Sequence, residues 1–412
     1  MAKKVLAILF SLAMLLTTFA ACANNAAPAA DESTPATSSS DSGEAADEVE
    51  ETGLTAETIK VGVVHIGDPA DGSGYSYTHD LGIQGMQKNL GLRDDQIVRV
   101  LNIDDSDNAA ITVAVEDCVA QGCNLIFTTS YGFMDVTEAM AAEYPDVYFS
   151  HGTGYKSNDV NFNNYFGRIY QARYLAGIAA GLKTESNKIG YVSAYGTELA
   201  ETCSGINGFT LGVQSVNPDA VVYVKTLNSW YDPANETAFA EALIDMGCDV
   251  IAQHCDTANP QIAAENAGVF GCGYNSDMAA QAPNAHLTAP IWNWDVYYTA
   301  ATQAVIDGTW AEFGNYYGGI KEGFVDVSPL TANCAEGTQE KIDAVKELIK
   351  SGDWDVFSGV KLSFDENNAI VKTDEALMDN EGNEIVAAGG ASVEDGVITG
   401  TMNYFVAGVE LK

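Results

Sequence analysis

Short apolar, β-branched runs recur along the chain, each followed by a turn rich in Gly, Asp or Ser and then by residues at helical spacing. The first set of runs lies at 59–65, 97–102, 124–129 and 147–151, and the second at 188–194, 221–227, 249–254 and 269–274. Runs this continuously apolar read as strands buried on both faces, the habit of parallel sheets. The stretch TIKVGVVHIGDPADGSGYSYTHDLGIQG (58–85) shows the unit most fully. A strand ends at Val64, a long polar and aromatic loop follows, and a helix is predicted to begin near residues 78–80. In open parallel sheets, ligands bind beyond the carboxyl ends of the strands, so this loop is the first candidate for function.

The two sets match in detail. Gln121-Gly122-Cys123-Asn124-Leu125-Ile126 parallels Met246-Gly247-Cys248-Asp249-Val250-Ile251, each closing a helix on Gly and opening a strand. Lys60-Val61-Gly62-Val63-Val64 parallels Lys188-Ile189-Gly190-Tyr191-Val192. Two βα arrays in a chain of this length predict an α/β protein of two doubly wound, Rossmann-like lobes with a cleft between them. The segment RIYQARYLAGIAAGLK (168–183) is expected to be an amphipathic helix marking the passage from the first lobe to the second. Residues 290–308 read as a strand end and a helix returning to the first lobe. The expected division is lobe 1 from 58–165 plus 290–318, and lobe 2 from 166–289 plus 319–412. Several crossings between lobes make a hinge.

Before the lobes, Lys3-Lys4 and the apolar run to Ala20 have signal-peptide proportions, too short for a spanning helix. The run ends in Phe19-Ala20-Ala21-Cys22, which resembles a bacterial lipobox. Residues 1–22 are thus expected to be a lipoprotein signal with Cys22 as the lipidated residue, the alternative being plain cleavage after Ala21. Residues 23–57 hold no aromatic or basic side chain and are expected to form a disordered acidic tether. The charge of the chain is extreme, with 19 Lys and Arg against 57 Asp and Glu, a net −38. Such a surface repels nucleic acid and anionic lipid, so no nucleic-acid partner is expected. The seven cysteines after Cys22 fit no zinc template and read as buried thiols.

Loops at the predicted strand ends carry aromatic rings and short polar side chains with almost no Lys or Arg. They suit a flat, uncharged, hydrogen-bonding ligand held between rings. The candidates are Tyr75, Tyr77, Tyr131, Phe133, Trp230, Asp256, Asn275 and Asp277. Each ring has the alternative of packing under its own loop, and each aspartate that of capping a helix. No catalytic motif is present: there is no Gly-x-Ser-x-Gly elbow, His-Glu-x-x-His pair or phosphate-binding Gly-Lys-Ser/Thr loop. The five histidines are scattered and read as structural. A binding protein rather than an enzyme is expected, without cofactor or metal; an enzyme acting on the same class of flat ligand remains the rival reading.

Many segments in order resemble the basic membrane protein family of ABC-transporter substrate-binding lipoproteins, which includes purine nucleoside receptors. They include YSYTHDLG (75–82), LIFTTSYGFMD (125–135), HGTGYK (151–156), RYLAGIAAG (173–181), LGVQSVNP (211–218), NSWYDPANE (228–236) and DVIAQHCD (249–256), with SDMAAQAPNAHLTAPIWNW at 276–294. The resemblance implies a type I periplasmic-binding-protein fold with a multi-strand hinge. It also implies a monomer that delivers a purine-like ligand to an ABC permease and its ATPase from outside the cytoplasm. It places the purine between Tyr75 (or Tyr77) and Trp230. The sequence departs from the nucleoside receptors at Ile66-Gly67 and Asn275, where they carry acids, and near Trp292-Asn293-Trp294, where they carry a lysine. Trp292 is therefore expected to fill the volume of a sugar, so a nucleobase such as adenine is favoured over its nucleoside. A signalling receptor or surface protein on the same fold is the alternative.

Overall fold

The computed structural model describes residues 53–412, so the signal segment, Cys22 and most of the tether lie outside the described residues. In the first array, strands β1 (Val61–Val64), β2 (Ile97–Val100), β3 (Leu125–Thr128), β4 (Tyr148–Gly152) and β5 (Phe162–Gly167) alternate with helices α1 (Gly74–Leu90), α2 (Asn108–Ala120) and α3 (Met134–Glu143). Helix α4 (Ile169–Lys183) leads to the second array. There β6 (Lys188–Ser193), β7 (Val221–Thr226), β8 (Val250–His254), β9 (Phe270–Cys272) and β10 (His286–Thr288) alternate with α5 (Ala200–Val216), α6 (Pro233–Asp245) and α7 (Asn259–Ala267). The chain continues through β11 (Pro290–Trp292), α8 (Trp294–Ile306), α9 (Trp310–Phe313), β12 (Tyr316–Gly318), β13 (Val325–Val327) and α10 (Thr338–Ser351). Two hairpins follow, β14 (Val360–Phe364) with β15 (Ile370–Asp374) and β16 (Leu377–Met378) with β17 (Glu384–Val386). Then come α11 (Asp395–Gly400) and β18 (Val409–Leu411).

The sheets run in the orders β12-β5-β4-β3-β1-β2 and β10-β9-β8-β6-β7-β18, with every neighbouring pair parallel. Without its sixth strand, each is the doubly wound 2-1-3-4-5 order, whose switch point lies beside the first strand of the array. Burial alternates across the strands as the pleat requires: Val61 and Val63 join the large central core, whereas Val64 packs with Ile111 and Val115 of α2 on the other face. The chain crosses between the sheets three times, after β5, after β10 and after β12. At the first crossing Arg168 donates through Nε to Asp395 at 3.0 Å and through Nη1 to the Tyr317 carbonyl at 2.6 Å. It thereby ties the start of α4 to both sheets' late-arriving segments.

Two expectations are corrected. Helix α4 is not amphipathic: every residue from Ile169 to Gly181 is buried, Gln171 and Arg173 included. It crosses α5 at backbone distance. A Cβ added at Gly181 would stand 2.7 Å from the Val213 carbonyl oxygen, and one at Gly208 would stand 2.6 Å from that of Tyr170. Gly177 and Gly212 are tighter still against Phe209 and Tyr174. Glycine here makes room for a second helix backbone. The tether also ends earlier than expected. Leu54 and Ala56 pack on the core, Ile59 N–H bonds the Thr55 carbonyl at 2.9 Å, and Gln96 Nε2 bonds the Ala56 carbonyl at 2.9 Å. No helix among the described residues is long and apolar enough to cross a membrane.

Candidate functional site

The carboxyl ends of both sheets meet where α1 faces the loop after β8. Helix α1 starts at Gly74 rather than near residue 78, so Tyr75 and Tyr77 lie in its first turn instead of mid-loop. Tyr75 Oη donates to the Thr129 carbonyl, and its ring stands edge-on to His79 at 4.3 Å and to Trp294 at 6.3 Å. Tyr77, two residues on, points about 200° away around the helix, so the two tyrosines cannot serve one face of a ligand. Gly74, at φ +82°, meets the opposite lobe. A Cβ there would come within 2.5 Å of the Asp256 carbonyl oxygen, so the lips of the cleft touch at this point.

On the second lobe, Trp230 sits in the loop between β7 and α6. Its ring is edge-on to Tyr195 at 5.8 Å and to His254 at 5.5 Å, and its carbonyl accepts the Asp256 N–H at 2.9 Å. Asp256 caps no helix; its Oδ1 accepts from Asn275 Nδ2 at 3.0 Å. Asn275 is buried at φ +67°, a left-handed conformation that Asn tolerates better than most residues. Trp292 is buried, stacked on Trp294 at 4.7 Å, with Nε1 3.4 Å from Tyr274 Oη. The structure thus gathers Tyr75, Trp230, Asp256, Asn275 and Trp292 around the junction of the lobes. Other candidates go elsewhere. Phe133 is wholly buried in the core between sheet and α2, and Tyr131 stands 57% exposed beside Tyr155. Asp277 accepts the Ala279 N–H at 2.9 Å as a turn cap and lies 3.5 Å from His286 Nε2.

Arg173, Glu201 and Tyr274, which sequence reasoning passed over, complete the arrangement with His254. Arg173 of α4 is buried with its guanidinium 4.2 Å over the Tyr274 ring; Nη1 donates to Tyr191 Oη at 2.8 Å and to the Gln253 carbonyl at 3.0 Å. Glu201, in the first turn of α5, reaches to 3.7 Å from His254 Nε2, and His254 in turn stands edge-on to Tyr274 at 4.7 Å. Burial pushes the Glu201 carboxyl up to about 8, with Arg173 pulling the other way. Burial likewise raises Asp256 to about 7 against the opposing Asn275 hydrogen bond. Near neutral pH the two carboxyls therefore carry exchangeable protons and can both donate and accept. The one available signal was Arg173 itself, a cation in the middle of a mostly apolar, Gly-rich helix.

All five histidines are buried, and burial lowers each below its ordinary range, so they are neutral. All seven cysteines of the described residues are free thiols. Among these residues, no group of His, Cys, Asp or Glu could hold a metal. A cavity of about 190 Å³ lined by Leu211, Gln214, Trp354 and Met378 lies away from the cleft, roughly 20 Å along α5 from Glu201.

Two parallel-sheet lobes hinged over an aromatic, carboxylate-lined cleft define a solute-binding protein of the type I periplasmic fold. Solved structures agree on the fold. A transcriptional activator of the comK gene from Bacillus halodurans aligns with a TM-score of 0.61 at 21% identity, over 71% of this chain and 98% of its own. An ABC transporter solute-binding protein from Conexibacter woesei gives 0.60 at 20%, over 72% and 98%. The chain belongs to the PnrA-like family of ABC transporter substrate-binding proteins, whose sequence profile matches residues 59–354. A purine-binding protein of Brucella abortus is 36% identical over 356 residues, 86% of this chain and 94% of that one. A putative ABC transporter glucose-binding protein of Haloferax volcanii is 36% identical over 304 residues, 74% and 75% of the two chains. The family binds solutes rather than transforming them, and solute-binding proteins of ABC importers work outside the cytoplasm.

Proposed function

We propose that this protein captures a purine, a nucleobase in preference to its nucleoside, in the cleft between its lobes and delivers it to an ABC permease. It acts from the outer face of a membrane to which lipid on Cys22 anchors it. The observation that carries the reading is the convergence of Tyr75 from one lobe with Trp230, Asp256 and Asn275 from the other. Rings grip the flat faces of a heterocycle, at ~1–3 kcal/mol for each stacked base, and the carboxyl and amide groups meet its edges. The purine-binding relative from Brucella supports the ligand class. The base is favoured because Trp292 and Trp294 stack as a buried pair, and Asn275, its Nδ2 spent on Asp256, offers a single amide oxygen where a carboxylate could accept from both hydroxyls of a sugar. A sugar's hydroxyls left without acceptors there would cost ~1–3 kcal/mol each.

Thermal shift decides it, because a ligand stabilises by RT ln(1 + [L]/Kd). Adenine should raise the melting temperature more than adenosine at equal concentration. A larger shift with adenosine overturns the base preference, and a larger shift with glucose overturns the purine assignment. Replacing Cys22 by Ser should release the protein from membranes; a variant that still sediments with them after a salt wash refutes the anchor.

A further inference from the structure

Glu201 occupies an unusual position. Its side chain is 22% accessible, and no group among the described residues hydrogen-bonds its carboxylate. His254, wholly buried, presents Nε2 to it at 3.7 Å, and neither ring nitrogen of His254 has a partner. Behind it, Arg173 is buried with Nε and Nη2 unpartnered. The space for that guanidinium comes from Gly205, one turn further along α5, where a Cβ would meet Arg173 Cδ and His254 Nδ1 at 2.8 Å. The remaining titratable groups that face this carboxyl are Asp256, Tyr274, Tyr75 from across the cleft, and Tyr317. The fold has thus carried an acid and its counter-charge into the lobe junction and left the acid's two oxygens uncommitted.

Resting on the purine reading above, we propose that Glu201 is the specificity-determining residue of the cleft, meeting the ligand as a carboxylic acid. Its O–H and C=O together pair with the substituted edge of a 6-aminopurine or 6-oxopurine. A carboxylic acid has one donor and one acceptor side by side and can exchange them by moving its proton. With adenine, the O–H donates to a ring nitrogen and the C=O accepts from the amino group. With hypoxanthine, the O–H donates to the 6-oxygen and the C=O accepts from the ring N–H. An ionised carboxylate accepts only, so it would leave one ligand acceptor facing a negative oxygen. A single residue thereby admits both purine types.

The test is the affinity for adenine, measured by calorimetry on the full mature chain at pH 7 and pH 9, for wild type and Glu201→Gln. Burial holds the Glu201 proton up to about 8, so the neutral fraction falls about tenfold between those values. Wild-type affinity should fall by the same factor. Glu201→Gln keeps a donor and an acceptor at the same place without a titrating proton. It should bind adenine and hypoxanthine at pH 7 within a few-fold of wild type and show no loss at pH 9. Glu201→Leu, close in size, should lose both bases at least tenfold. Purine binding by wild type that is independent of pH and of all three side chains overturns the role of Glu201 and leaves the purine reading standing. Failure of wild type to bind any purine base at either pH overturns both.

Discussion

Substituting Gly212 by Ala tests the packing on which the cleft rests. Helix propensity alone would favour the change by about 1 kcal/mol. The structure opposes it, since the new Cβ would drive into the Tyr174 carbonyl oxygen of α4. Even the looser Gly181 falls about 0.7 Å short of a 3.4 Å contact, and the obstacle is helix backbone rather than a side-chain tip that can swing away. The helices must part, and a gap of 0.5–1 Å forfeits roughly a quarter to a half of the dispersion energy of each contact it opens. Overpacking of this kind costs about 1–3 kcal/mol. With the upper figure taken for a backbone obstacle, the net loss is about 2 kcal/mol. Gly396→Ala is the control, a helical glycine with open space around its would-be Cβ, expected to gain a few tenths to about 1 kcal/mol. Urea unfolding of ligand-free protein reads both. Ligand affinity should fall in Gly212→Ala as well, because the crossing sets Arg173 of α4 against Glu201 of α5. If Gly212→Ala is as stable as Gly396→Ala, the helices do not meet through their backbones.

Trp230→Ala should weaken purine binding by ~1–3 kcal/mol, about five- to 150-fold, with little change in ligand-free stability; lost stability with unchanged affinity would return the ring to the core. Deleting residues 23–52 should leave affinity and stability untouched, whereas extending the deletion through Glu57 removes Leu54 and Ala56 from the core and strips Gln96 of an acceptor. The longer deletion should lower the melting temperature, and equal melting of the two truncations would refute the revised boundary. Stability should decline as pH falls from 6.5 towards 4. Burial holds His65 and His286 at about 4 and His151 at about 3, so in that window the unfolded chain takes up protons that the folded chain refuses. Glu201, Asp256, Glu236 and Asp355, raised by burial, act in the opposite sense as pH falls, but they are four groups against five histidines. A urea midpoint unchanged between pH 7 and 4.5 would refute this.

Eight of the strands were legible because buried parallel strands are continuous apolar runs, and Val61–Val64 or Val250–His254 can hardly be anything else. Strand β5 was not, because Asn163 and Asn164 break its run. Its polar groups find partners that the local sequence does not announce, Asn163 donating to the Gly314 carbonyl, Asn164 Nδ2 to the Lys156 carbonyl, and the Asn164 N–H to Asn315. The start of α1 was hidden by the Gly-Ser-Gly run, which reads as loop until Ser73 proves to be the N-cap position. At the cleft, rings and amides in strand-end loops announced themselves. Glu201 and Arg173 did not, because a charged residue in a helix looks solvent-facing unless the second helix that buries it is already known.

Each sheet is completed from the far end of the chain: β12 covers the edge of β5, and β18 covers the edge of β7. A chain emerging from its N-terminus can form five strands of the first sheet, yet β5 keeps a bare hydrogen-bonding edge until residues 316–318 arrive. By then the second array has been made, and its own β7 edge waits for residues 409–411. Neither lobe can be finished before the other has begun. Unpaired edges of this kind recruit other strands, so cutting the chain after the first array should yield a sticky fragment rather than an autonomous domain. The same threading makes folding slow to commit, because the last contacts span the longest stretches of sequence.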